Sequence, residues 1–291
     1  MIKVFLKIVF ILFSLYSYTQ NQSYKIIYEE IYPKLNSDYQ SAKEEWLKME
    51  AQYDSIDPAE QVLMSGYALM NNDITFFKRR IIPLMKYYGW NYSQELDTMY
   101  SVVERSMLKR MIQEKNLITW VSKKSNKHYS KWKTNAPLYS LYRNKVDQIV
   151  FSDQEVIRLF NEDTTLTDNC VFLDSLISTV HFYHIEEIIK LCKLNNGLLL
   201  NNFDNGIGIY NKLSFIIWHN LKIEVNFQKT WDALLPFIEK AYFQNKISYT
   251  LFMAYDKWSL YHYGNQYYGT INGKDIREEV TFPERKKKYR L

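Results

Sequence analysis

The chain has 291 residues, 37 lysines and arginines against 32 aspartates and glutamates, a formal net charge of +5, and two cysteines, Cys170 and Cys192. That length is ample for a proper core, and two cysteines exclude a disulfide scaffold. A surplus this small, without a basic face or a recognisable module, excludes nucleic acid as the expected partner.

Residues 1–19 read as a cleavable leader. Lys3 and Lys7 precede the almost wholly apolar run Ile8–Tyr16, and Ser17 and Thr19 offer small residues for cleavage. The run falls short of the roughly 20 apolar residues a membrane helix wants, with an uncleaved anchor as the alternative. The mature chain is therefore expected to be exported, periplasmic or secreted, with no transmembrane span.

Ile26, Ile27, Ile31 and Leu35 recur at helical spacing, and Trp46 and Leu47 continue it after Ser37–Asp38. Asp57 is a natural cap for a helix with Pro58 in its first turn. Asn71–Asn72–Asp73 turns the chain into a second helix, Phe76–Tyr88, ended by Gly89. This pair resembles one tetratricopeptide-like unit without a second copy at a matching period. Pro83, and later Pro236, should each kink a helix or mark a new start. Met99, Val102, Val103, Met107, Leu108 and Met111 form a core-type helical stripe. Ser122–Asn135, polar and basic, reads as a linker between a helical region, 23–150, and a helical domain, 151–291, with the boundary near Val146–Ser152.

In the second half Ser152–Asp153–Gln154–Glu155 reads as a helix start, with Ser152 as cap and Glu155 reaching back. Leu173–Leu194 is helical with a possible break at His181–His184. Were it continuous, Cys170 and Cys192 would lie roughly 33 Å apart, beyond bridging. Asn195–Asn196–Gly197 stops it, Asn201–Gly208 is a loop, and Ile209–Leu221, Phe227–Asn245 and Ser248–Tyr261 complete the helices. Asn272–Gly273 between Gln266–Ile271 and Asp275–Val280 is a hairpin signal. The run Arg285–Lys288 reads as a solvated tail. The expected fold class is thus mainly α, a multi-helical body with a small C-terminal β-hairpin.

Several of these residues together carry a resemblance: Asp153–Gln154 with Arg158, the Gly197 stop, the helix ending in His219, the Leu235–Pro236–Phe237 helix, Gly264-x-Gln266-x-Tyr268–Gly269–Thr270, and Glu284–Arg285–Lys286 before Leu291. Over about Phe151–Leu291 the chain resembles the bacterial domain-of-unknown-function family DUF6624. It departs from that pattern at Leu198–Leu199, Trp218, Ile271 and Arg290. The resemblance implies a fold and a site location, not a reaction.

His219 is the candidate general base, although a lone histidine on an apolar helix is more often a core or helix-end residue. Gln266, Tyr268 and Thr270 alternate along the expected strand and so share one face; with Asp153 and Arg158 they are the candidate binding residues. His181, His184 and Glu187 fall on one side of a helix at a spacing compatible with metal ligation, but no fourth ligand is in sight, so neither metal nor cofactor is expected. No nucleophile elbow, phosphate loop or zinc motif is present. The 25 tyrosines fit an interface or carbohydrate contacts, and fit a compositional bias equally well. Two function classes follow. The favoured one is an exported binding module presenting Trp258, Tyr261, Tyr263, Tyr267 and Tyr268 to a peptide, glycan or protein partner. The alternative is a hydrolase with His219 as base and Gln266 and Thr270 as polar stabilisers.

Overall fold

A computed structural model describes residues 23, 26–53, 56–92, 102–136, 138–162 and 170–289, with the backbone alone for 102–107, 159–162 and 170–174. The expected leader lies outside these residues, as does the side chain of Cys170. Among the described residues no helix is long and apolar enough to cross a membrane. The chain divides into two compact units. One holds the chain up to residue 137 with Asn202–Gly208 and Phe243–Ser248; the other holds Leu138–Asn201, Ile209–Tyr242 and Tyr249–Leu291.

In the first unit a wide π turn, Ile27–Ile31, leads into the short helix Tyr32–Leu35. The widening falls just ahead of Pro33, which has no N–H to give to the ladder. Three helices then start on carboxylate caps. Asp38 opens α1 (Tyr39–Gln52), Asp57 opens α2 (Pro58–Met70) and Asp73 opens α3 (Ile74–Tyr87), each accepting a backbone N–H of the first turn. Each cap satisfies an otherwise free donor and places negative charge at the positive end of the helix dipole. Trp46, Met49, Met64, Leu69, Phe77, Ile81 and Leu84 close the core with Ile112 of α4 (Val102–Glu114) and Val121 of α5 (Ile118–Asn135).

The expected linker Ser122–Asn135 is therefore helix. Val121, Ser125 and Trp132 recur one and two turns apart on a buried face, which the surrounding lysines hide in the sequence. Trp132 packs where α3 ends: Gly89 has φ +69°, and a Cβ there would stand 2.5 Å from the indole ring. Gly89→Ala combines left-handed strain with a clash against a buried ring, and is expected to cost about 2–4 kcal/mol in a denaturant titration. A cost under about 0.5 kcal/mol would mean that Trp132 swings aside freely.

The second unit comprises α6 (Tyr139–Glu162), α7 (Cys170–Leu194), α8 (Ile209–Lys222), α9 (Glu224–Phe243), α10 (Thr250–Tyr263) and α11 (Phe282–Tyr289). Val146, Ile185, Ile188, Leu213, Ile216, Ile217, Phe227 and Leu234 are fully buried. Four expectations change. Val146–Ser152 is no boundary, and Ser152–Glu155 no helix start, because α6 runs through both and buries Val146, Ile149, Val150 and Asp153 on one face. α7 is unbroken at His181–His184, and Cys192 is a free thiol that burial pushes up to about 12. Pro83 and Pro236 lie inside continuous helices and mark no new start. The stop after α7 is as expected: Gly197 N donates to Cys192 O at 2.9 Å.

No strand forms among the described residues, so the expected C-terminal β-hairpin is absent. Gln266 and Ile276 make one isolated bridge, with Gln266 N donating to Asp275 O and Arg277 N donating to Gln266 O. The reason is Asp256 of α10. Its fully buried carboxylate accepts the N–H groups of Tyr267, Tyr268 and Thr270, each at 2.8 Å, and the Thr270 hydroxyl at 2.7 Å. These are donors a strand ladder would use, and a charged acceptor holds them more strongly than a carbonyl would. Gln266 folds back inside the loop, donating to Ile271 O at 2.7 Å and Lys274 O at 3.1 Å and accepting from Ile271 N at 2.9 Å. The Asn272–Gly273 turn is present but joins no strands. Arg285–Lys288 belongs to α11: its three lysines are exposed as expected, but Arg285 is buried, donating to Tyr267 O at 3.0 Å while its guanidinium lies 4.1 Å from the Tyr267 ring centre.

Candidate functional site

Three helices of the second unit bring polar side chains to one place. Asp153 continues the buried face of α6, His181 and His184 lie one turn apart on the buried face of α7, and His219 sits at the edge of the apolar face of α8. Helical spacing alone places each of them: Ile149 precedes Asp153 by one turn, Ile185 and Ile188 continue the line of His181 and His184, and Phe215 precedes His219 by one turn. The Phe215 ring packs 4.1 Å, centre to centre, from the His219 imidazole.

The carboxylate of Asp153 is wholly buried, and its two oxygens are used differently. Oδ2 is bonded, to His219 Nδ1 at 2.7 Å and to the Gln154 side-chain amide, which donates to it at 3.0 Å. Oδ1 lies 2.9 Å from His181 Nδ1 and 3.9 Å from His184 Nδ1. The first is a close approach without hydrogen-bond alignment, so Oδ1, His181 Nδ1 and His184 Nδ1 are all buried without a hydrogen-bond partner. On its other side His184 shares a 2.9 Å hydrogen bond with Ser152 Oγ. A neighbouring network fixes the helices: Ser178 Oγ donates to Asn226 Oδ1 at 2.8 Å, and Asn226 Nδ2 donates to Ser178 O at 2.8 Å and Asn220 Oδ1 at 3.3 Å.

Burial by itself would push the Asp153 carboxyl up; the His181 and His219 imidazoles outweigh it and hold it down at about 2. The carboxylate therefore stays ionised at neutral pH. Burial also holds His184 below the ordinary histidine value, with His181 adding to that effect and Asp153 opposing it. His219 differs from the other two imidazoles in exposure, with 17% of its side chain accessible against 4% for His181 and 3% for His184.

The sequence-derived candidates divide. Asp153 and His219 come together. Arg158 lies on the surface of α6 in an ion pair with Glu155 at 2.8 Å. Gln266, Tyr268 and Thr270 share no polar face. Gln266 and Tyr268 are each 1% exposed, Tyr268 Oη accepts from Trp231 Nε1 at 2.9 Å, and Thr270 is bound to Asp256. Glu187 does not join His181 and His184; it pairs with Lys190 at 2.5 Å. The partner the histidines do find is Asp153, on another helix. The signal for it in the sequence is a carboxylate standing in an otherwise apolar helical face, one turn beyond Ile149.

Comparison of the chain with protein-family models, with curated proteins and with solved structures finds no match in any of the three.

Proposed function

We propose that the second unit is a hydrolase in which His219 is the general base, held by Asp153, in a chain exported by the leader-like segment 1–19. One observation carries the reading: the 2.7 Å contact between a buried, ionised carboxylate and Nδ1 of the one imidazole in the cluster with appreciable solvent access. A carboxylate on Nδ1 fixes the tautomer that leaves the Nε2 lone pair free, and it stabilises the imidazolium once a proton is taken. Nε2 would then accept a proton from a water molecule as that water attacks a polarised substrate, and return it to the leaving group. Gln266 and Thr270 have no part in this chemistry, since their polar atoms are spent on the C-terminal loop.

The test is hydrolysis of chromogenic ester, amide, phosphoester and glycoside substrates by the purified full chain. His219→Gln is expected to lower turnover about 10²–10⁴-fold in whichever class is cleaved, with KM little changed. Absence of turnover in all four classes, or turnover that His219→Gln retains, would remove the hydrolase reading.

A second reading, a binding module for a peptide, glycan or protein partner, draws support from the exposed rings of Tyr261 and Tyr263 at the end of α10. It no longer includes Tyr268, which is core.

A further inference from the structure

We propose that Asp153 Oδ1, His181 Nδ1 and His184 Nδ1 form a binding site for a divalent transition-metal ion of the zinc type. The site goes beyond the acid–base role of His219 and does not rest on it.

Three buried polar atoms without an aligned hydrogen bond in one cluster are rare in a folded protein, and apart from the 2.9 Å approach of His181 Nδ1 to Asp153 Oδ1 nothing among the described residues engages them. Here the three are a carboxylate oxygen and two imidazole nitrogens on side chains at least nine-tenths buried; Oδ1 lies 2.9 and 3.9 Å from the two Nδ1 atoms, and the three residues can each offer a ligand atom within 4.8 Å of the others. A shared cation would satisfy all of them. Two imidazoles with one carboxylate suit zinc, iron, manganese or cobalt, whereas magnesium and calcium take oxygen ligands. Ligands about 2.0–2.1 Å from a tetrahedral ion stand about 3.4 Å apart, a value between the 2.9 and 3.9 Å separations of Oδ1 from the two Nδ1 atoms.

The surroundings are those a metal site needs outside its ligands. Ser152 Oγ engages His184 Nε2, and with the proton on Nε2 the lone pair of Nδ1 is available. His219 and Gln154 both hold Asp153 by Oδ2, which leaves Oδ1 for the ion. Three protein ligands leave a coordination position for water, the arrangement of catalytic rather than structural zinc.

The experiment uses the untagged full chain, stripped with a chelator and checked by circular dichroism, then titrated with Zn²⁺ and separately with Co²⁺. The expected result is uptake of about one equivalent and, with Co²⁺, a visible absorption band of a low-coordinate nitrogen and oxygen site. His181→Gln and His184→Gln should each weaken Zn²⁺ binding about 100-fold or more, and His219→Gln at most about 10–100-fold. A folded, stripped chain that takes up no stoichiometric Zn²⁺ overturns the site, as does uptake that both His181→Gln and His184→Gln leave unchanged. If those variants misfold, X-ray absorption of the Zn²⁺-loaded wild type decides: two histidine ligands support the site, and none or one overturns it. Failure of the acid–base reading looks different, since metal uptake would persist while turnover was absent or indifferent to His219.

Discussion

Asp256→Ala is expected to destabilise the second unit by roughly 3–5 kcal/mol and to loosen residues 264–289 before the rest unfolds. The wild-type carboxylate is fully buried and accepts three backbone N–H groups and one hydroxyl. Removing it leaves four donors without an acceptor, each costing about 1–3 kcal/mol if it stays buried. Part of that cost is avoided if the loop lifts into water, which then exposes Tyr268. That ring packs against Phe252, Tyr255, Trp231 and Tyr289, so the aromatic core is opened as well. Denaturant titration gives the stability, and amide exchange of 264–289 gives the local effect. Asp256→Asn, which keeps shape but turns an NH₂ toward the donors, should fall between alanine and wild type. A cost for alanine below about 1 kcal/mol with unchanged exchange would show that the loop is held by its apolar contacts alone.

The second large effect belongs to Asp153. Asp153→Asn is nearly isosteric, yet turnover should fall about 10³–10⁴-fold on the substrate class the wild type cleaves, with KM nearly constant. An amide in place of the carboxylate no longer selects the His219 tautomer with a free Nε2 lone pair, and it provides no charge for the imidazolium that forms. Nitrogen chemical shifts of His219 would report the tautomer directly. Turnover within tenfold of wild type would separate Asp153 from the proton transfer. Because Asp153 also contributes Oδ1 to the proposed metal site, the variant needs a Zn²⁺ titration alongside. His219→Gln, which leaves Asp153 Oδ1 and both α7 histidines in place, disturbs the metal site less and gives the comparison.

The helix start at Asp57–Pro58 in the first unit and the stop at Asn195–Asn196–Gly197 in the second are legible because their chemistry is local, without reference to anything distant in the chain. Ser152–Asp153–Gln154–Glu155 misleads for the opposite reason. Its side chains suit a cap, but Asp153 is drawn to histidines on two other helices and the backbone continues as helix beneath it. The C-terminal segment fails as a hairpin because the acceptor for its N–H groups lies on α10, in a residue that carries no strand signal. The site was visible only as separate members. Asp153 and His219 are 66 positions apart, and the paired spacing of His181 and His184 points along their own helix to Glu187, whereas the fold supplies its carboxylate from α6.

The first unit is not one stretch of chain: it takes back Asn202–Gly208 and Phe243–Ser248 after the second unit has begun. Those returns are bonded in place, with Asn202 Nδ2 donating to Asp57 Oδ1 at 3.2 Å and Ile207 N to Tyr88 O at 3.1 Å. No single cut therefore yields either half intact, and a fragment ending at residue 137 lacks two pieces of its own wall. Either half expressed alone is therefore missing part of its own core, and a circular permutation or domain insertion placed near residue 137 would have to keep both returns attached to the first unit.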